Sequence, residues 1–248
     1  MEIDAKFLLF INCDLYFSTM RIKDNISDEF GEFSKNYTND MIGCVPYYLE
    51  LIESFVESLP KNFQPKTILD LGCGNGNITA RLLELFPNAG YVLLDASPQM
   101  LALCNERFKN KNSTYIESYF QNYTFKENYF DLIVAGFSLH HCNSKEKENL
   151  FRSIFKSLKK GGLFSFSDLM ISKTHVKHPE FLKTWKVFVD TNFPDGKKWK
   201  WLKEHYDEFD KPDDFDKQLK WLRKAGFMTI ETRINKNDWK HIQAIKID

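Results

Sequence analysis

From about residue 66 the chain alternates short apolar runs with stretches of helical period. TILDL (67–71) is a buried-strand run that leads straight into glycines. Residues 78–86 then place Leu82, Leu83 and Phe86 on one side of a helix, and Pro87 follows its end. YVLLD (91–95) is a second strand. Ser97-Pro98 reads as an N-cap and first-turn proline, opening a helix through Met100, Leu101, Cys104 and Phe108. A short strand is expected at 114–116 and a buried one at FDLIVAGF (130–137). Asn143 with Glu146 has capping-box spacing, and the helix it opens carries apolar residues at 150, 151, 154, 155 and 158 before Gly161-Gly162. GLFSFSDL (162–169) is the next strand. A helix from Pro212 to about Ala225 follows, and two strands at about 227–234 and 239–247, joined by the turn 235–238, close the chain as an antiparallel hairpin.

Strands separated by helices predict an α/β fold with a mostly parallel, doubly wound sheet, because parallel neighbours need crossover connections. Two regions stand outside that pattern. Residues 1–65 are helical and aromatic and read as an N-terminal helical cap. Residues 170–211 hold two amphipathic segments, one through Phe181, Leu182, Trp185, Phe188 and Val189, the other through Trp199, Leu202, Tyr206 and Phe209. They read as a lid inserted into a core spanning 66–248. Four of the five tryptophans lie in 185–221, so cap and insertion together are expected to form an aromatic acceptor pocket.

Composition narrows the partners. Lys plus Arg and Asp plus Glu are 34 each, and this zero balance argues against a nucleic-acid partner held by excess cations. The longest apolar run is about five residues, Phe7–Ile11, far short of the ~20 that a membrane helix needs. Glu2 and Asp4 at the start do not suit a secretory signal. Five cysteines without a C-x-x-C read as reduced thiols of a cytoplasmic protein.

The segment with chemistry is ILDLGCGNGN (68–77). A strand runs into Gly72, Gly74 and Gly76 and then into a helix, so a ligand can lie on bare backbone beside free N–H groups. The dinucleotide fingerprint G-x-G-x-x-G would need glycine where Asn77 stands. Asp95 ends the second strand 19 positions after Gly76, well placed to accept from ribose hydroxyls.

The pattern D-x-G-x-G-x-G after an apolar strand resembles the class I S-adenosylmethionine-dependent methyltransferases. LLDASPQML (93–101), FDLIVAGFSLHH (130–141) and LKKGGLFSFSDL (158–169) follow in that family's order and spacing. The resemblance covers about 66–170, and the closing 226–247 is similar to the family's last two strands. It implies a Rossmann-like seven-stranded sheet with an antiparallel last strand, S-adenosyl-L-methionine as cofactor, and methyl transfer. It further implies that Asp70 and the loop Gly72, Cys73, Gly74, Asn75 and Gly76 hold the methionine part and that Asp95 holds the ribose. Ala96 and Met100 are then near the adenine, and Ala135, Gly136 and Phe137 form the floor beside the sulfonium. Where the family has an acid for the adenine amino group, this chain has Tyr119, followed by Phe120; Gln121 or a backbone carbonyl replaces the acid, or Tyr119 stacks on the ring. Residues 30–52 resemble the cap helix of small-molecule methyltransferases and of the carboxy-S-adenosylmethionine synthase group, in which a tyrosine matching Tyr37 closes over the cofactor.

The acceptor belongs at the end of the fourth strand, where SLHHC (138–142) offers His141 or His140 as a base. No metal is expected, because adjacent residues rarely share one ion and neither C-x-x-C nor H-E-x-x-H is present. KKWKWLK (197–203) mixes cations with aromatics, but EHYDEFD (204–210) balances it, which favours a lid helix over an RNA surface. The expected function is methyl transfer to a small-molecule acceptor by a monomer or homodimer. The alternatives are a tRNA-modification enzyme and a non-catalytic cofactor-binding protein. Residues 1–19 precede Met20, and their apolar positions favour a packed segment over a loose tail.

Overall fold

A computed structural model describes residues 36–247. The expected packing of 1–19 and the first part of the cap lie outside the described residues. Two helices come first, α1 (Tyr37–Cys44) and α2 (Tyr48–Glu57). Then β1 (Thr67–Leu71), α3 (Asn77–Leu85), β2 (Gly90–Asp95), α4 (Pro98–Arg107), β3 (Ser113–Glu117) and β4 (Phe130–Gly136) alternate along the chain. After α5 (Ser144–Ser157) and β5 (Leu158–Leu169) come α6 (His178–Asn192) and α7 (Lys197–Phe209). The chain then runs through α8 (Phe215–Ala225), β6 (Thr229–Lys236) and β7 (Trp239–Ile245).

The seven strands form one sheet in the order β3-β2-β1-β4-β5-β7-β6. All pairings are parallel except those of β7, which is antiparallel to both β5 and β6. The doubly wound sheet with an antiparallel last strand is therefore as expected. Its faces follow the period of two: Ile68 and Leu93 point to one apolar cluster, Leu69, Leu71 and Leu94 to the other. The first cluster receives α1, α2, α3, α6 and α7 through Leu51, Phe55, Leu82, Trp185, Val189 and Tyr206. The second receives α5 and α8 through Phe151, Ile154 and Leu222.

Helix signals held. Ser97 Oγ accepts from Met100 N and Pro98 opens α4, while Asn143 and Glu146 form a reciprocal capping box on α5. Two boundaries differ from the pattern. α5 stops at Ser157, before the glycines, because Leu158 already pairs with Phe130 in the sheet. The last helix starts at Phe215, not Pro212, because the side chains of Asp213 and Asp214 are committed elsewhere. Asp213 takes Lys147, Lys217 and Ser144, and Asp214 accepts from Ser172 N and Oγ. The described cysteines, 44, 73, 104 and 142, are buried free thiols. Among the described residues no helix is long and apolar enough to cross a membrane.

Candidate active site

Strand order reverses between β1 and β4: from β1 the sheet grows outward to β2 and β3 on one side, then returns to β4 on the other. Loops leaving the carboxyl ends of two such strands diverge and leave a crevice. Here they are the glycine loop after β1 and Phe137-Ser138 after β4. The crevice is a cavity of about 330 Å³, within the usual range for small-ligand sites.

Gly72, Gly74 and Gly76 all have positive φ (70°, 52° and 81°). A Cβ on Gly72 would drive into Ser138 Cβ, whose hydroxyl donates to Leu71 O at 2.8 Å. The loop is fastened from β2: Gly72 N donates to Leu94 O at 2.8 Å and Gly74 N to Asp95 Oδ2 at 2.9 Å. Asp95 Oδ1 accepts from Ser97 N at 2.8 Å. Both Asp95 oxygens thus accept backbone N–H groups and keep further acceptor capacity. From the other side α1 reaches the loop. Thr38 Oγ1 accepts from Asn75 Nδ2 at 2.8 Å and Asn77 Nδ2 at 3.0 Å, and the Tyr37 ring lies over Gly74.

Of the residues expected in the site, Tyr37, Gly72, Gly74, Asp95, Ala96, Met100, Tyr119, Phe120, Phe137 and His141 share the cavity wall. Asp70, Cys73, Asn75, Gly76, Ala135, Gly136 and His140 stand behind it. The reasons are local. Asp70 turns to Thr79 Oγ1 (2.6 Å), Asn75 to Thr38, and Cys73 to Cys104 (sulfurs 3.9 Å apart). Phe108 covers Gly76, Ile78 covers Gly136, and Ala135 is fully buried in the sheet. The wall also holds residues that sequence reasoning did not name for it: Ser138, Glu146, Phe209 and Lys211. Gln121, one of the replacements for the missing acid, lines the cavity beside Tyr119.

Burial pushes the Asp95 carboxyl up, against hydrogen bonds from Ser97, Gly74 and Ala96. It pushes Asp70 up to about 7, with Thr79 opposing and Asp95 adding. Asp70 Oδ1 is buried without a hydrogen-bond partner. Two buried carboxylates with no balancing cation among the described residues fit a ligand that brings hydroxyl donors and positive charge, as S-adenosylmethionine does.

His140 and His141 lie on a single 3-10 turn after β4. His140 Nδ1 is 2.5 Å from Asp168 Oδ1, and its backbone N donates to Asp168 Oδ2 at 2.9 Å. Asp210, at the end of α7, faces both rings. Burial lowers the His140 pKa, but Asp168 and Asp210 outweigh it and hold the ring at about 9. Burial and then His140 depress His141 to about 4, so it does not titrate near neutrality.

Residues 68–162 match the family model of the methyltransferase domain. The sheet order, the glycine loop and Asp95 agree with that match, which supports a class I S-adenosylmethionine-dependent methyltransferase domain over these residues, with S-adenosylmethionine as its cofactor. Among curated relatives, the ubiquinone/menaquinone biosynthesis C-methyltransferase UbiE of Wigglesworthia glossinidia brevipalpis is 33% identical over 165 residues, 58% of this chain and 65% of the relative. UbiE of Erwinia tasmaniensis is 38% identical over 100 residues, 38% of this chain and 39% of the relative. The match thus spans less than two thirds of either relative's length. Two solved structures share the fold at 15% identity. An S-adenosylmethionine-dependent methyltransferase of Leishmania major has a TM-score of 0.61, over 88% of this chain and 80% of that one. Phosphoethanolamine N-methyltransferase 2 of Haemonchus contortus, with phosphomonomethylethanolamine and S-adenosylhomocysteine, has 0.62, over 92% and 59%.

Proposed function

We propose that this protein transfers a methyl group from S-adenosylmethionine to a nucleophilic atom of a small-molecule acceptor. The observation that carries the proposal is one cavity whose wall combines bare glycine backbone and Asp95 with Phe137, Phe209, His141 and Lys211. When bound, the cofactor supplies an electrophilic methyl group on a sulfonium. The chain's own part is binding, alignment and exclusion of water. Asp95 accepts from the ribose hydroxyls with its remaining lone pairs. Met100, Tyr119, Phe120 and Gln121 surround the adenine, and Gly72, Gly74 and Tyr37 hold the methionine end. The helices α1, α2, α6 and α7 act as a cap that leaves room for a compact acceptor rather than a polynucleotide. The acceptor sits against Phe137 and Phe209, its reacting end towards His141. The C-methyltransferase names of the relatives support a small organic acceptor and do not choose the atom methylated.

Calorimetry tests the cofactor half. S-adenosylmethionine and S-adenosylhomocysteine should bind one per chain, and Asp95→Ala should weaken binding about ten- to hundredfold (~1–3 kcal/mol), because the ribose loses a charged acceptor. Unchanged affinity removes Asp95 from the site, and preferential binding of NAD refutes the reading. Product formation in a broad acceptor screen tests the transfer, and its failure with tight cofactor binding favours a non-catalytic binding protein.

A further inference from the structure

The side chains of His140, His141 and Asp210 each bring a ligand atom within 4.8 Å of the other two. We infer that they form a binding site for a divalent first-row transition metal ion, at the acceptor end of the cavity. Asp210 Oδ1 lies 3.2 Å from His141 Nδ1 and 3.6 Å from His140 Nε2. A charge-assisted N–H···O bond would close to about 2.7–2.9 Å. Ligand atoms bonded at about 2.0–2.2 Å to one ion, at angles near 90–109°, stand about 3.0–3.6 Å apart. The 3.6 Å separation is of the second kind, and the 3.2 Å one fits either a hydrogen bond or a shared ion. The carboxylate is more than nine-tenths buried, and the imidazoles of His140, His141 and His205 (Nε2 at 3.5 Å) all converge on its Oδ1.

The surroundings of His140 point the same way. Its Nδ1 is taken by Asp168 Oδ1 at 2.5 Å, and Asp168 is itself fixed by the backbone N–H groups of His140 and Leu169. With Nδ1–H committed to Asp168, Nε2, the nitrogen that faces Asp210, is the atom whose proton an ion would displace. A carboxylate behind a histidine in this way is the usual support of a metal-ligating imidazole. The two adjacent rings meet at 65°, with centroids 4.2 Å apart, and each presents a nitrogen to Asp210 Oδ1. Adjacency in sequence argued against a shared ion. What that argument lacked was Asp210, brought in from 69 residues away at the end of α7.

Two imidazoles and one carboxylate suit Zn²⁺, Fe²⁺ or Co²⁺ and leave coordination positions open. His141 lines the cavity, so an open position there takes an oxygen of the acceptor. The acceptor class this selects has an ionisable oxygen, which the ion holds and polarises as a Lewis acid. That last step rests on the proposed methyl transfer; the metal site does not.

The test uses the full chain without a polyhistidine tag, stripped with a chelator and titrated with Co²⁺ and Zn²⁺. One ion per chain is expected, with visible Co²⁺ absorption and a raised melting temperature. Asp210→Asn and His141→Ala should weaken binding at least a hundredfold, and Asp168→Asn ten- to hundredfold. His175→Ala, outside the cluster, should leave it unchanged. Cofactor binding by each variant establishes that it is folded, and Asp168→Asn serves if the ligand variants are not. Absence of stoichiometric uptake by the wild type overturns the inference. So does uptake that survives Asp210→Asn or is lost with His175→Ala. Because metal uptake is read without methyl transfer, its failure and a failure of the enzymatic reading are separate results.

Discussion

Gly72 shows how much one missing methyl group decides. Its φ is +70°, and the space beside it is filled by Ser138. Gly161 has a similar φ of +78°, but a Cβ there would meet nothing within 4 Å. Alanine at 161 therefore costs only the left-handed backbone penalty, about 1 kcal/mol. Alanine at 72 adds overpacking of about 1–3 kcal/mol, because Ser138 must leave Leu71 O or the loop must shift. Urea melts should order the variants wild type, Gly161→Ala, Gly72→Ala, and only the last should also lose cofactor affinity; equal losses would show that Ser138 gives way freely. The glycine loop was legible in the sequence because its determinants are contiguous: a strand, three alternate glycines, a helix. The acceptor end was legible only in part. Ser138, His141 and Cys142 of SLHHC line the cavity, but Asp210 belonged to a charge-balanced run that reads as part of a lid helix, and Lys211 lay just beyond it. Nothing local says that this run returns to β4.

At the scale of elements, the return is made by the strap 210–214 between α7 and α8. Lys211 N donates to His140 O at 2.6 Å, which ties the strap to the turn after β4. Lys147 on α5, 1% exposed, donates to Lys211 O and to Asp213 Oδ2 at 2.7 Å. Lys217 also reaches Asp213, but its side chain is 47% exposed, so solvent screens that pair. The buried lysine carries the strap. Lys147→Met removes a buried partner and should cost about 3 kcal/mol in denaturant melts. It should leave S-adenosylmethionine affinity close to wild type, since Asp95 and the glycine loop are fastened from β2 and α1. Properties of the acceptor end, metal uptake included, should suffer. A cost below about 1 kcal/mol would mean that Lys217 suffices. The sequence offered Lys147 only as a polar position in an amphipathic helix; its burial comes from the strap laid across it.

Across the whole molecule, the alternation of strands and helices and the doubly wound sheet followed from periodicity, whereas buried polar groups did not, because their partners are remote. His241 on β7 is the clearest case. Ser54 uses its hydroxyl proton on Leu51 O, so His241 Nδ1–H donates to Ser54 Oγ at 2.6 Å, and His241 Nε2 accepts from Ser165 at 2.7 Å. One neutral tautomer satisfies both bonds, and burial, with Arg233 adding to it, depresses the pKa to about 3. Asp70 is its counterpart on β1, raised to about 7 by burial. The two affect stability with opposite sign. Between about pH 3 and 6.5 the unfolded chain binds a proton at residue 241 that the folded chain refuses, so His241 makes stability rise with pH. Between about pH 4 and 7 the folded chain keeps a proton on Asp70 that the unfolded chain has lost, so Asp70 makes stability fall with pH. Each slope is at most about 1.4 kcal/mol per pH unit, and from about pH 4 to 6.5 they oppose each other. Removing one group should uncover the other. Without cofactor, the unfolding free energy of Asp70→Asn should climb more steeply than wild type from pH 4 to 6.5, while that of His241→Gln should climb less steeply than wild type, since His141, depressed to about 4, still opposes Asp70. Parallel curves for wild type and both variants would show that neither group titrates as its burial requires. Above pH 7, Asp70→Asn should be the more stable protein and the poorer cofactor binder, since the charge that burial penalises is the one a cationic ligand would satisfy.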